Sequence, residues 1–174
     1  MLQFIYKNLL TLNSTILFVF IYIVKSKVYI KALGVYSIVL YILAILLLTV
    51  FCLLGTRMLA DDTMEGNIQE VSLASDGYLP SYLGYFFVAL SIDKNDWILF
   101  WVVFVLVYIF TYTSQLLYFN PLFLLMGFHF YYVMSQEQVK IFIISRKRDI
   151  RGVKNLSFDK LKRINNFTFI DEEK

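Results

Sequence analysis

Twenty-one consecutive residues, Val35 to Gly55, carry no formal charge. At about 1.5 Å of rise per helical residue such a run reaches roughly 30 Å, the thickness of the hydrocarbon core of a bilayer. A soluble domain of 174 residues has no interior large enough to hide it together with the rest of the apolar surface. Hydrophobic residues make up 59% of the chain, the mean hydropathy is +0.67, and 17 Phe and 13 Tyr are present. The run is read as a membrane span, with most of the remaining apolar surface facing lipid and the abundant tyrosines at the interfaces.

A second run, Asn8 to Val24, is bracketed by Lys7 and by Lys25, Lys27 and Lys31. It is too long for the apolar part of a signal peptide, and no small-residue cleavage site follows, so it is read as an uncleaved first span. A third begins at Trp97 and runs to Tyr112, with Thr113, Ser114 and Gln115 before Leu116 to Phe119. Asn120-Pro121 breaks it, because proline lacks an N–H and displaces the preceding residue from helical geometry. Asn120 is then an N-cap and Pro121 a first helical position, opening a short fourth span from Pro121 to Met134. Leu79 to Ile92, interrupted by Pro80 and Gly84, suits a re-entrant or interfacial helix. The spans expected are therefore 8–24, 35–55, 97–118 and 121–134.

Lysine and arginine set the orientation. Ten of the sixteen lie beyond Met134, which places the C-terminal tail of a multi-pass membrane protein in the cytoplasm. The loop Arg57 to Tyr78 carries Asp61, Asp62, Glu65, Glu70 and Asp76 against the single Arg57 and prefers the outer side. Four crossings would put Lys25, Lys27 and Lys31 outside as well, whereas an odd number puts them inside. The sequence leaves that parity open.

After Ser135 the pattern changes. Val139 to Ile144 reads as a strand, Arg146 to Gly152 as a basic turn, Ser157 to Ile164 as a short helix or extended piece, and Asn166 to Ile170 as a second strand. Asp171 to Lys174 read as a frayed, solvated end. The fold expected is an all-α membrane protein: a small multi-span helical bundle over residues 1–135 and a basic cytoplasmic tail over 136–174 with a β-hairpin-like element.

No catalytic machinery is visible. The chain has no glycine-rich phosphate loop, no Cys/His ligand spacing and no serine elbow, so no enzyme, cofactor or metal is expected. The long runs hold no Asp, Glu, Lys or Arg, which argues against ion-coupled transport. Cys52 reads as a small buried hydrophobe, and His129 as an interhelical hydrogen-bonding group or a proton switch. Thr111, Thr113, Ser114 and Gln115 form either a helix-contact seam or the wall of a pore. The tail residues Lys140, Arg146, Lys147, Arg148, Arg151, Lys154, Lys160, Lys162 and Arg163 are the candidate contacts with a partner or with anionic lipid, at about 1 kcal/mol per well-placed charge. Phe142, Phe158, Phe167 and Phe169 among them favour a folded docking element over a bare charge run.

The stretch Asn120-Pro121-Leu122 through Gly127-Phe128-His129-Phe130-Tyr131, the strand Val139 to Ser145, the basic Arg146-Lys147-Arg148 and the closing Arg163-Ile164-Asn165 resemble the membrane subunit of the bacterial Kiwa antiphage defence system. The likeness covers mainly the C-terminal third. It implies a four-span homo-oligomer, expected as a tetramer, that senses phage attack at the envelope and docks a soluble DNA-binding partner subunit on its cytoplasmic face, with no catalytic site and no nucleic-acid binding of its own. Two other readings stand beside it: a small channel or pore-forming effector, and an accessory subunit of a transporter or envelope enzyme contacted through the acidic loop.

Overall fold

The first apolar run carries a dense group of polar residues, Thr11, Asn13, Ser14 and Thr15, and that decides its place. In the computed structural model, which describes residues 2–64, 68–74, 78–114, 120–135, 138–147 and 158–171, it forms helix α1 (Leu2–Lys25). Around α1 pack α2 (Ser37–Gly55), α3 (Tyr78–Ser91) and α4 (Trp97–Thr113). Thr11, Asn13, Ser14 and Thr15 are buried against these neighbours, so α1 occupies the centre. α2 and α4, apolar on every side, expose theirs: Leu47 is 69% and Ile98 82% exposed. A helix hydrophobic all round has the pattern of a core or membrane helix. Among the described residues two helices, Gln3–Lys25 and Gly34–Met58, are long and apolar enough to cross a membrane, while α3 and α4 are shorter, at 14 and 17 residues.

Specific contacts lock the group. Tyr22 stacks on Phe100 with ring centroids 4.3 Å apart, and Phe18 stacks on the same ring at 5.6 Å. The Lys25 ammonium donates to the carbonyls of Leu90 and Ile92, supplying a cation to the C-terminal end of α3. Asp96 caps α4 by accepting from the Leu99 N–H at 3.0 Å. Pro80 sits in the first turn of α3, where a missing N–H leaves no intrahelical bond unmade.

The segment expected as a fourth span, Pro121 to Met134, does not form one. Helix α5 stops after five residues, Pro121–Leu125. Gly127 adopts a left-handed φ of +81°, its N–H bonds to the Leu124 carbonyl and that of Phe128 to the Phe123 carbonyl, each at 2.9 Å. This paired motif ends a helix, and the hydrophobic contact that accompanies it is the Phe123–Phe128 ring pair at 5.9 Å. The aromatic and β-branched residues beyond the turn become a strand instead.

The all-α expectation therefore fails: five α-helices accompany six strands among the described residues. These are β1 (Asp61–Met64), β2 (Ile68–Leu73), β3 (His129–Ser135), β4 (Lys140–Ser145), β5 (Phe158–Arg163) and β6 (Thr168–Asp171). They form one sheet in the order β1-β5-β6-β4-β3-β2, antiparallel except for β4 against β6. β1 and β2 occupy its two edges although only residues 65–67 separate them. Four Cα steps reach at most about 15 Å. In a flat six-stranded sheet the edges would lie about 24 Å apart. The sheet must therefore curl until its edges meet, with β1 and β2 running in one direction as the two halves of the sealing strand. Counted that way, the order and the single parallel pair are those of a five-stranded OB-type barrel, with α3 to α5 inserted between its first two strands.

Alternation along the strands fits closure. Tyr131, Val133, Ile141, Ile143, Phe158, Leu161 and Phe169 cluster on one face with Ile68. The alternate residues Phe130, Phe142, Ile144 and Ile170 pack on Tyr6, Leu10, Tyr82 and Phe123 of the helices. Asp171, expected as a solvated end, is 1% exposed: its carboxylate accepts from Ser145 Oγ at 2.7 Å and lies 4.0 Å from Lys147 Nζ.

The pairing also overturns the placement of the acidic loop opposite the tail. Asp61 is the cross-strand partner of Lys162, and Val71 that of Val133, so strands from both segments share one sheet on one side of the helices. Cysteines placed at Asp61 and Lys162 in a Cys52→Ser background are expected to join within one chain on mild oxidation, because directly opposed strand residues lie within disulfide reach. Two cysteines that both react with maleimide yet never join would take β1 out of the barrel.

Candidate functional site

Chain folding divides the basic residues of the tail into working and free ones. Lys162 is 9% exposed; its ammonium lies 2.6 Å from Asp61 Oδ1 and donates to the Leu59 carbonyl at 3.4 Å, tying β5 to the sealing strand. The Asp61 carboxylate is open to water, so that pair contributes at most about 1 kcal/mol. Lys147 neutralises the buried Asp171, and Arg163 donates to Asn166 Oδ1 at 2.9 Å. Lys140, Arg146 and Lys160 remain exposed. The first two lie over aromatic rings, Lys140 Nζ 4.0 Å above Tyr132 and the Arg146 guanidinium 4.5 Å above Phe128, which holds each charge in place while leaving it available. Arg148, Arg151 and Lys154 lie outside the described residues. Burial pushes the phenols of Tyr131 and Tyr132 above their ordinary range, so both stay protonated at neutral pH, and Tyr131 donates to the Lys147 carbonyl at 2.6 Å.

A second constellation lies where the helices meet. Asn120 is 1% exposed; its Oδ1 caps α5 by accepting from the Leu122 N–H at 2.9 Å, and its Nδ2 donates to the Asn13 carbonyl at 3.2 Å. Asn13 Oδ1 in turn accepts from Thr49 Oγ1 at 3.0 Å. Three segments are thus stitched by neutral polar groups in the centre of the molecule. Asn13 Nδ2 is buried without a hydrogen-bond partner among the described residues. Asn13 and Thr49 were not singled out from sequence. The signal was there, in four polar residues between Thr11 and Thr15 of an otherwise apolar span, since such residues in lipid-facing helices mark helix contacts.

The remaining candidates separate cleanly. Cys52 is buried and its Sγ lies 3.7 Å from the Leu9 carbonyl. Thr111 donates to the Val107 carbonyl at 2.8 Å and lies 3.3 Å from the Tyr85 hydroxyl; Thr113 donates to the Ile109 carbonyl of its own helix at 2.9 Å. Ser114 is exposed, and Gln115 lies outside the described residues. His129 is not in a span at all but opens β3, opposite Ser145, and its Nε2 is buried without a hydrogen-bond partner among the described residues. Among the described residues no group of three His, Cys, Asp or Glu side chains is placed to hold a metal ion.

The surface an OB-type barrel offers to oligonucleotides or sugars is the face of its second and third strands. Here Phe130, Phe142 and Ile144 of that face are covered by the helices. Asn120→Ala removes a cap and a buried bridge together, and is expected to lower stability by about 1–3 kcal/mol, read as a reduced thermal midpoint in detergent.

The family model described as Anti-phage protein KwaA matches residues 6–170. No curated protein and no solved structure matches the chain. The family match runs from α1 into β6 and takes in the helices, the sealing strand and the rest of the barrel, so the chain belongs to the anti-phage KwaA family and has its role in phage defence.

Proposed function

We propose that this chain is the non-enzymatic sensor and scaffold subunit of a Kiwa-type defence complex. The helices α1 to α4 lie in the bacterial inner membrane, the barrel lies in the cytoplasm, and the exposed basic rim docks a soluble DNA-binding partner subunit. The chain acts as a homo-oligomer, with the tetramer implied by the family resemblance. One observation carries the reading: a single hydrophobic core, with Tyr6, Leu10 and Tyr82 on one side and Phe130, Phe142 and Ile144 on the other, joins the membrane-facing helices to the barrel. A disturbance of the helices in the envelope cannot be absorbed by a flexible linker and must be passed to the surface that holds the partner.

The charge distribution supports the orientation. Ten Lys and Arg follow Met134, and Arg57 lies four residues before the barrel, whereas the opposite end of the helices carries Lys25, Lys27, Lys31 and Lys94. On this reading the two helical hairpins, α1–α2 and α3–α4, each return the chain to the barrel side, the crossing number is even and both termini are cytoplasmic. The Lys25 to Lys31 loop is then external, with Lys25 engaged on the end of α3. The short α3 and α4 imply local thinning of the bilayer around them. No observation favours the channel or accessory-subunit readings over this one.

Two measurements test the proposal. In a Cys52→Ser background, cysteines at Ser26 and Lys94 are expected to label from the periplasm and cysteines at Asp62 and Lys160 only after permeabilisation; labelling of Ser26 and Lys160 from one side sinks the topology. Deleting residues 140–174 would remove three barrel strands, so docking is better tested by Lys140→Glu with Lys160→Glu, which is expected to reduce co-purification of the co-expressed DNA-binding subunit about tenfold. Full retention of the partner by that double variant would move the docking surface elsewhere.

A further inference from the structure

The charge-free part of α2 ends at Gly55, and Arg57 follows within a short 3-10 turn, Thr56–Met58, at the level where the helices give way to the barrel. Beside that turn opens a cavity of about 520 Å³ between the end of α2, the Gly127 turn and the ends of β4 and β6. Its α2 wall is Val50, Leu53 and Leu54, continuous with the exposed apolar face of the helix; Val50 is 41% and Leu54 53% exposed. Its other wall carries Arg146, fixed over the Phe128 ring, and Arg57 stands at the same cavity. The two guanidiniums are both exposed. The remaining charged group, Asp171, has no exposed side-chain surface and is answered by Lys147 and Ser145, so the open face of the cavity is cationic. Thr56 spends its hydroxyl on the Leu53 carbonyl at 2.7 Å.

We propose that this cavity binds one anionic phospholipid: the phosphodiester between Arg57 and Arg146, the glycerol in the cavity mouth, and an acyl chain laid along Val50 and Leu54 into the bilayer. An arginine fork suits phosphate oxygens, and the apolar wall leads where a chain must go. The size is that of a small-molecule site. Because Arg146 directly follows β4 and Arg57 lies four residues before the sealing strand, an occupied site ties a lipid to two separate parts of the barrel at its junction with α2. The occupant is a lipid and not a soluble phosphate because the cationic and apolar walls are one continuous surface. This assignment rests on the membrane reading above, which fails separately if the chain is recovered from cells in the aqueous fraction without detergent.

The test uses the full-length chain purified in detergent and native mass spectrometry with phosphatidylglycerol and phosphatidylcholine of the same acyl chains. Phosphatidylglycerol is expected to be retained about tenfold more than phosphatidylcholine, two guanidiniums each contributing severalfold. Arg57→Gln with Arg146→Gln is expected to bring it to the phosphatidylcholine level. Lys140→Gln with Lys160→Gln, which removes the same charge elsewhere on the barrel, is expected to leave it unchanged. Equal retention of the two lipids, full retention by the Arg57/Arg146 variant, or an equal loss in the lysine control would overturn the site. So would complete displacement by millimolar glycerol phosphate, which carries the headgroup chemistry without chains.

Discussion

The fold depends on one backbone constraint: a closed set of strands must find partners on both sides, and the segment Asp61 to Leu73 supplies them. β1 bonds to β5 and β2 to β3, at pairings some 60 to 100 residues apart in sequence. Without that segment the four C-terminal strands would present two open edges and a half-exposed apolar interior, a state prone to edge-to-edge association. With it, Val133, Ile143, Phe158 and Leu161 reach 1% exposure or less. The same constraint orders the helices, since the chain must leave the barrel after β2, pass through α3 and α4, and come back to begin β3.

Two kinds of interior result. The barrel is filled by aromatic and branched aliphatic side chains, as a water-soluble core is. Among the helices, specificity is carried by the hydrogen bonds of Asn13, Thr49 and Asn120, by Tyr108 donating to Asn8 Oδ1 at 2.9 Å, and by the stacked rings of Tyr22 and Phe100. The two interiors meet in one hydrophobic core at Tyr6, Tyr82 and Phe123.

Parts of this were legible in the residues. Two helices, α2 and α4, follow directly from uncharged apolar runs, and β4 and β6 follow from alternation and aromatic content in the tail. The misreading of Pro121 to Met134 has a definite cause. An apolar run of that length fits a short buried helix and a strand equally well, and only Gly127, the single residue able to take φ of +81° without strain, separates α5 from β3. β1 and β2 were missed for a different reason. Asp61-Asp62-Thr63-Met64 has no strand pattern of its own, and its conformation comes wholly from the partners it pairs with.

The sequence by itself determined which segments are long, apolar and uncharged, because absence of charge over about twenty residues is a local property that no packing can alter. It also determined where the basic residues cluster and which family the C-terminal third resembles. Tertiary structure alone decided which side the acidic segment occupies, which lysines and arginines are free, and which polar groups meet in the centre. Strand partners and buried hydrogen bonds are relations between residues far apart in the chain, and they exist only once the backbone has closed on itself.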